Sequence, residues 1–479
     1  MNKIIVAALV MAVSSCSFAG EATGGRAYKK SDHIVSVSFF TWFSPTKGQK
    51  AGPWRPIEGR ENWGGKEHWK NQLRQTMRAN VDTLWVHLIA GRDPADEQRR
   101  LFNEAYAELR AEGYKLPTIA PFLDPLIIWG QYEPDEPNKP IDMATEKGID
   151  EFVRPYIIFF RDYFAANKDK YADSYIQTID GKVVLDTWHI WLTLNNYDKC
   201  AKAEIEKRLI ADFGEEHPVF KNGVYIVGTG FSETFPFADE GIIQFEQHAY
   251  NYETQLKDVR CVQLKGGYWD QNVRNPGYMM PRDGGVHYID AWEKVDRNKI
   301  NRVYIESWNE YDEGSGIYAA KIAEPYLPKD RTAATRSDVW SATGNPFEYI
   351  DTTAKYAAKY NDAPDSDGEI IAVDIRRELK AGETVTAKFT LRNTGNEPWT
   401  EGKVSLSCDD EGFNVVKSAL TDKFGDIARL GAVYRNMPAL VEAEFAAPAK
   451  PGTYMTHWNI IDKDGKAVGR AKSLLLSVK

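Results

Sequence analysis

Residues 33–310 alternate between short apolar runs and amphipathic stretches. "HIVSVSFFTWF" (33–43) reads as a strand, "KEHWKNQLRQTMRAN" (66–80) as a helix, and "VDTLWVHLI" (81–89) as the next strand. A helix over 96–113 closes at Gly113, a C-cap residue, before strand "LPTIAPFLD" (116–124). A helix follows at 147–167, then strand "KVVLDTWHI" (182–190), a helix at 198–214 and strand "GVYIVGTG" (223–230). "IIQFEQHAY" (242–250), "VRCVQLKGG" (259–267) and "NRVYIESWNE" (301–310) complete eight strands. The sixth lies within "GIIQFEQHAYNYETQL", which also carries helical features. Strands with helices between most of them imply a parallel sheet. Eight units in under about 300 residues fit an α/β fold of the (β/α)8 TIM-barrel type. An open doubly wound sheet is the alternative, but no Gly-rich phosphate fingerprint follows the first strand.

The texture changes after residue 362. A polar linker, "NDAPDSDGE" (361–369), precedes short alternating runs separated by turns, such as "ETVTAKFTLRNTGNEPW" and "SLLLSV". This spacing predicts an Ig-like β-sandwich of about 110 residues, with Trp399 and Trp458 packed between its sheets. The expected organisation is a signal peptide over 1–19, a barrel over 20–362 and a sandwich over 363–479.

The signal peptide rests on Lys3, the apolar run Ile4 to Val13 and the Ser17-Phe18-Ala19 cleavage pattern. That run is too short to span a bilayer. "VSSC" also resembles a lipobox, in which Cys16 would carry a lipid anchor. Both readings place the protein outside the cytoplasm, and no later segment has transmembrane character. Cleavage after Ala19 leaves Cys200, Cys261 and Cys408, an odd number without metal-site spacing. Burial as small apolar residues is preferred to a Cys200–Cys261 bridge.

A net charge of −9 argues against a nucleic-acid partner. Aromatics make 12% of the chain; their faces suit sugar rings, although most aromatics pack cores. The chemistry concentrates in "IESWNEYDEGSGI" (305–317), at the C-terminal end of the eighth strand, where barrel enzymes place their active sites. Retaining glycosidases hold two carboxyl groups about 5–5.5 Å apart. Glu310 and Glu313 reach such a separation only if the chain turns after Asn309, because an extended strand would point them to opposite faces. Asp312 between them would raise at least one carboxyl pKa, as a general acid requires. Spacing alone favours a solvated acidic turn.

"SWNEYDEGSGI" resembles the "NEWHEGT" signature of glycoside hydrolase family 99 and its WbsX-like relatives. "KGGYWDQNVRNPGYMMPRDGGVHYIDAWEKV" (265–295) and "FFTWF" are similar to earlier segments of that family, in the same order. The resemblance implies a (β/α)8 barrel acting on α-mannosides with neither metal nor cofactor. It implies that Glu310 assists the sugar's 2-hydroxyl to give a 1,2-anhydro intermediate, and that Glu313 is acid and then base. Tyr311 and Asp312 depart from the signature, which leaves the sugar open. "FTLRNTGNEPWTEG" and the later "PGTYMTHW" resemble the Ig-like domain of the Next-to-BRCA-one type.

Other candidates for sugar contact sit at predicted strand ends: Trp42, His87, Asp124, Asp186, Trp188 and His189. Tyr268, Trp269, Asp270 and Arg274 follow the seventh strand, and Trp308 and Asn309 flank the glutamates. Asp270 is expected to bind substrate and to orient Glu310. His87, His189 and His248 lie on different strands without metal-site spacing. The sequence therefore predicts an extracytoplasmic, endo-acting, retaining glycoside hydrolase on an α-mannan-like polysaccharide or glycan. The alternative is a non-catalytic carbohydrate-binding or polysaccharide-assembly protein using the same cleft.

Overall fold

The computed structural model describes residues 24–45, 54–89, 97–124, 140–188, 194–229, 237–242, 249–271, 273–274, 276–321, 339–410 and 412–479. The strands of the first unit are β1 (Ile34–Phe39), β2 (Thr83–Ile89), β3 (Thr118–Asp124), β4 (Lys182–Thr187) and β5 (Val224–Thr229). They continue with β6 (Glu240–Ile242), β7 (Asn251–Leu256), β8 (Val259–Lys265) and β9 (Arg302–Glu306). Parallel ladders run in the order β8-β9-β1-β2-β3-β4-β5-β6. All six residues of β1 and all five of β9 are buried, as expected for strands covered on both faces. The strands end sooner than their apolar runs, so Trp42 and Phe43 belong to the loop after β1.

The helices are α1 (Lys66–Arg78), α2 (Glu97–Ala111), α3 (Glu146–Ala166), α4 (Lys202–Phe213), α5 (Val286–Glu293) and α6 (Glu348–Tyr360). Thr145 caps α3 by accepting the Gly148 N–H at 3.0 Å. Among the described residues no helix separates β5 from β6, or β6 from β8. The latter connection contains β7, which runs antiparallel to β8 through a turn at Lys257 and Asp258. "NYETQL" thus follows a period of two rather than a helical one, which corrects the helical features expected there. No ladder joins β6 to β7 among the described residues; Thr254 Oγ1 donates to the Gly241 carbonyl across the gap at 3.2 Å. Among the described residues the sheet is a barrel that falls one ladder short of closure and carries fewer helices than a full (β/α)8 set.

The C-terminal unit is a β-sandwich. One sheet holds β10 (Gly368–Asp374), β11 (Thr384–Asn393), β14 (Pro438–Ala446) and β13 (Asn414–Thr421) in that order. The other pairs Glu378–Leu379, β16 (Lys472–Val478), β15 (Gly452–Asp462) and β12 (Val404–Cys408). Trp458 is fully buried, with the Phe389 and Phe445 rings at 4.8 and 5.1 Å, and Trp399 is buried too. The sandwich meets the loops after α1 and α2, on the face of the barrel where the strands begin. Arg74 Nε lies 3.1 Å from Asp426, whose other oxygen accepts the Tyr114 hydroxyl at 2.7 Å. Arg78 ion-pairs with Asp351 at 2.7 Å and donates to the Leu430 carbonyl at 3.0 Å. Arg392 donates to the Gly113 carbonyl at 3.0 Å. Cys200 and Cys261 are buried free thiols, and Cys408 is a free thiol, half-buried. No helix among the described residues is long and apolar enough to cross a membrane.

Candidate active site

A cavity of about 240 Å³ opens where the strands end, opposite the sandwich. Phe40, Trp42, Phe122 and Trp188 give it an apolar wall. Glu306, Glu310, Glu313 and Arg274 also line it, together with Asp124 and His87. Period two along the strands explains much of this. Ser36, Ser38 and Phe40 share one face of the first segment, and Arg302, Tyr304 and Glu306 share one face of β9. Tyr304 stacks on Trp85 inside the barrel at 5.0 Å and forms part of the lining with Ser38.

The chain leaves β9 at Glu306 and turns from Ser307, earlier than the turn after Asn309 that the sequence suggests. The Glu310 N–H donates to Ser307 Oγ at 3.0 Å, and the Asp312 N–H donates to Glu310 Oε1 at 2.9 Å. This local winding brings Glu310 and Glu313 to the same cavity. Glu310 is only 5% exposed. Burial, and then the charges of Glu313 and Asp312, push its carboxyl pKa well above the ordinary carboxylate range, against the pull of the backbone N–H groups. Glu313 is more open, with its side chain 20% exposed, and pairs with Arg274 at 2.7 Å.

Arg274 is itself held. It donates to Asp270 Oδ2 at 2.9 Å and to the Tyr268 hydroxyl at 3.0 Å. Tyr268 donates to the same Asp270 oxygen at 2.9 Å, and the Tyr278 N–H caps the other one. Asp270 therefore acts through Arg274 on Glu313, not on Glu310 as expected from its place in the sequence. Tyr268 and Asp270 lie behind Arg274 and are buried.

Several predicted contact residues are placed elsewhere. The buried Trp308 points its Nε1 toward helix α1, where it donates to Gln72 Oε1 at 2.8 Å. Asn309 clasps the backbone of Phe40, accepting its N–H and donating to its carbonyl, both at 2.8 Å. Trp269 is fully buried behind Gly314, and Asp186 is buried off the cavity wall. A turn sends successive side chains in different directions, so neighbours of Glu310 in sequence are not its neighbours in the site. Trp42, His87, Asp124, Trp188 and Arg274 do line the cavity. His87 lies 3.6 Å from Asp124, with the Trp42 ring edge-on at 4.6 Å. His189 and His248 lie outside the described residues.

Glu306 escapes the sequence reading. It ends β9 inside the cavity, accepts Gln263 Nε2 at 3.1 Å and has Lys265 Nζ at 3.3 Å. Burial first, then the charge of Glu313, push its pKa up to about 7, against the attraction of Lys265. Its parity with Tyr304, two residues earlier, is the signal that could have found it.

Residues 373–479 match the family described as the Ig-like domain from next to BRCA1 gene. Among solved structures, the chain is similar to the GH99 endo-alpha-mannosidase from Bacteroides thetaiotaomicron. The identity is 14% and the TM-score 0.44, over 70% of this chain and 98% of that one. A structure of that enzyme with bis-tris propane gives 16% and 0.45, over 69% and 97%. A protein described as glycoside hydrolase-like gives 13% and 0.46, over 72% and 97%. Among curated proteins no sequence matches the chain.

Proposed function

We propose that the protein is a glycoside hydrolase that cleaves within an α-mannan-like polysaccharide or glycan, with retention, using Glu310 and Glu313. The observation that carries this reading is the pair of glutamates wound onto one turn and facing an aromatic wall across a single cavity. Aromatic faces hold the apolar sides of a sugar ring, and two carboxyl groups supply the proton transfers. The motif resemblance of residues 265–317 supports the choice of sugar, and that of residues 1–19 to an export signal supports an extracytoplasmic place of work.

Exposure supports the division of roles. Glu313, at the open side, can exchange protons with water and reach a leaving group. Glu310, buried beneath, would take the side of the sugar ring. In the first step Glu310 takes the 2-hydroxyl proton as that oxygen attacks the anomeric carbon, and Glu313 protonates the departing oxygen. In the second, Glu313 deprotonates water, which opens the anhydro ring, and Glu310 returns the proton to the 2-oxygen. Arg274 must release Glu313 for it to carry a proton. The raised pKa of Glu310 places the acid limb of the rate profile above the ordinary carboxylate range, because the base form is the active one.

The test compares Glu310→Gln and Glu313→Gln on a natural glycan and on an aryl glycoside with a good leaving group. Removal of a general acid or base costs about 10²–10⁴-fold. Glu313→Gln should lose that on the glycan and recover much of it on the aryl glycoside, whereas Glu310→Gln should fail on both. Near-native rates in both variants would refute the hydrolase assignment, and sugar binding without turnover in the native protein would establish the carbohydrate-binding alternative.

A further inference from the structure

A second cavity, of about 60 Å³, lies at the seam between the two units, where residues 80–82 and 115–118 meet Arg435 and Asn436. It is on the opposite side of the barrel from the glutamates. Three cations line it, Arg26, Lys115 and Arg435, with one carboxylate, Asp82.

The one carboxylate, Asp82, is shared by Arg26 and Arg435 and so does not balance all three cations. Asp82 Oδ2 accepts the Val35 N–H at 3.0 Å, and its Oδ1 lies 3.6 Å from Arg26. Arg26 also reaches Asp32, at 3.7 Å. Arg435 donates to a neutral amide, Asn80 Oδ1, at 3.0 Å, and its buried Nε has no acceptor among the described residues. The acid that acts on Lys115 is Glu369, which Arg392 holds at 2.8 Å. Burial and the neighbouring arginines push the pKa of Lys115 down, and burial does the same to Arg435 against the attraction of Asp82. Excess positive charge in a partly buried space is costly unless a counter-charge fills it.

The space is too small for a sugar ring. At about 10–15 Å³ for each water centre it admits roughly four to six waters, or one tetrahedral ion. Two arginines and a lysine lining such a volume suit the oxygens of phosphate or sulfate.

We propose that this cavity binds a small free oxyanion of the phosphate or sulfate type, which bridges the barrel to the sandwich. The anion would contact Lys115 and Arg26 from one unit and Arg435 from the other, so its binding stabilises the docked pair.

The experiment is thermal unfolding of the full chain against inorganic phosphate, with sodium chloride at matched ionic strength as the control. The native protein should show a saturable rise in Tm, about 3 °C at about 100 times Kd for a chain of this length. Lys115→Met removes a repelled cation, so it should fold without phosphate and lose most of the rise; Lys115→Arg should keep it. Arg435→Gln should also lose it, and calorimetric titration of the same proteins with phosphate should follow the same order. No rise beyond chloride in the native protein, or an equal rise in Lys115→Met and Arg435→Gln, would overturn the proposal.

Discussion

Asp426 allows the seam between barrel and sandwich to be tested quantitatively. Its side chain is 1% exposed, beside Arg74 at 3.1 Å and under the Tyr114 hydroxyl at 2.7 Å. Burial outweighs both partners and pushes its pKa from 3.8 up to about 6. A carboxyl with a folded-state pKa above its unfolded value favours the folded protein in its protonated form. Its contribution is complete below pH 3.8 and is lost as the pH rises through about 6. At roughly 1.4 kcal/mol per pH unit, the loss is about 3 kcal/mol. Asp426→Asn keeps the shape and removes the titration. The stability of the native protein relative to this variant should therefore fall by about 3 kcal/mol between about pH 3.5 and 7.5, whatever the offset at a single pH. Urea unfolding across that range measures it, with tryptophan fluorescence and far-UV circular dichroism checked for coincident transitions. A difference independent of pH would refute the reasoning. A difference of opposite slope would show that the Arg74 charge, not burial, governs the site.

Asn309→Ala should leave the N–H and carbonyl of Phe40 without partners in a buried place, at a cost of roughly 2–5 kcal/mol, read as a lower unfolding midpoint. Glu306→Gln should remove a titration near pH 7. The plot of log kcat/KM against pH should show an inflection there in the native protein and none in the variant; superimposable profiles would detach Glu306 from catalysis.

Much of the architecture is legible from periodicity. The alternation of strands and amphipathic helices from β1 to β5 follows the apolar runs, since β1 is buried on both faces and α2 and α3 mainly on one, while α1 is buried nearly all round. Legibility fails where the chain departs from that scheme. β7 is half-exposed and polar on one side, so its pattern is weak, and the gap beside it, where the described residues form no ladder, has no sequence signal. Within the site, residue types are easier to read than directions. The acidic turn and the Tyr268, Asp270 and Arg274 group stand out, yet the attachment of that group to Glu313 is settled by two loops meeting in space. Trp308 and Asn309 look like sugar contacts because they precede Glu310, while their hydrogen bonds commit them to helix α1 and to Phe40.

The seam also has a consequence in time. Tyr114 and Arg74 belong to the first third of the chain, and their partner Asp426 follows Tyr114 by 312 residues. At synthesis rates of about 5–20 residues per second, the interval between them lasts roughly 15–60 s. Throughout it, helix α1 and the loop after α2 present an arginine and a tyrosine ring with no cover from the sandwich. A ribosome-bound chain truncated before Asp426 should therefore be the species most prone to capture by chaperones, and the sandwich, emerging after the barrel, acts as the closing step of that barrel's assembly.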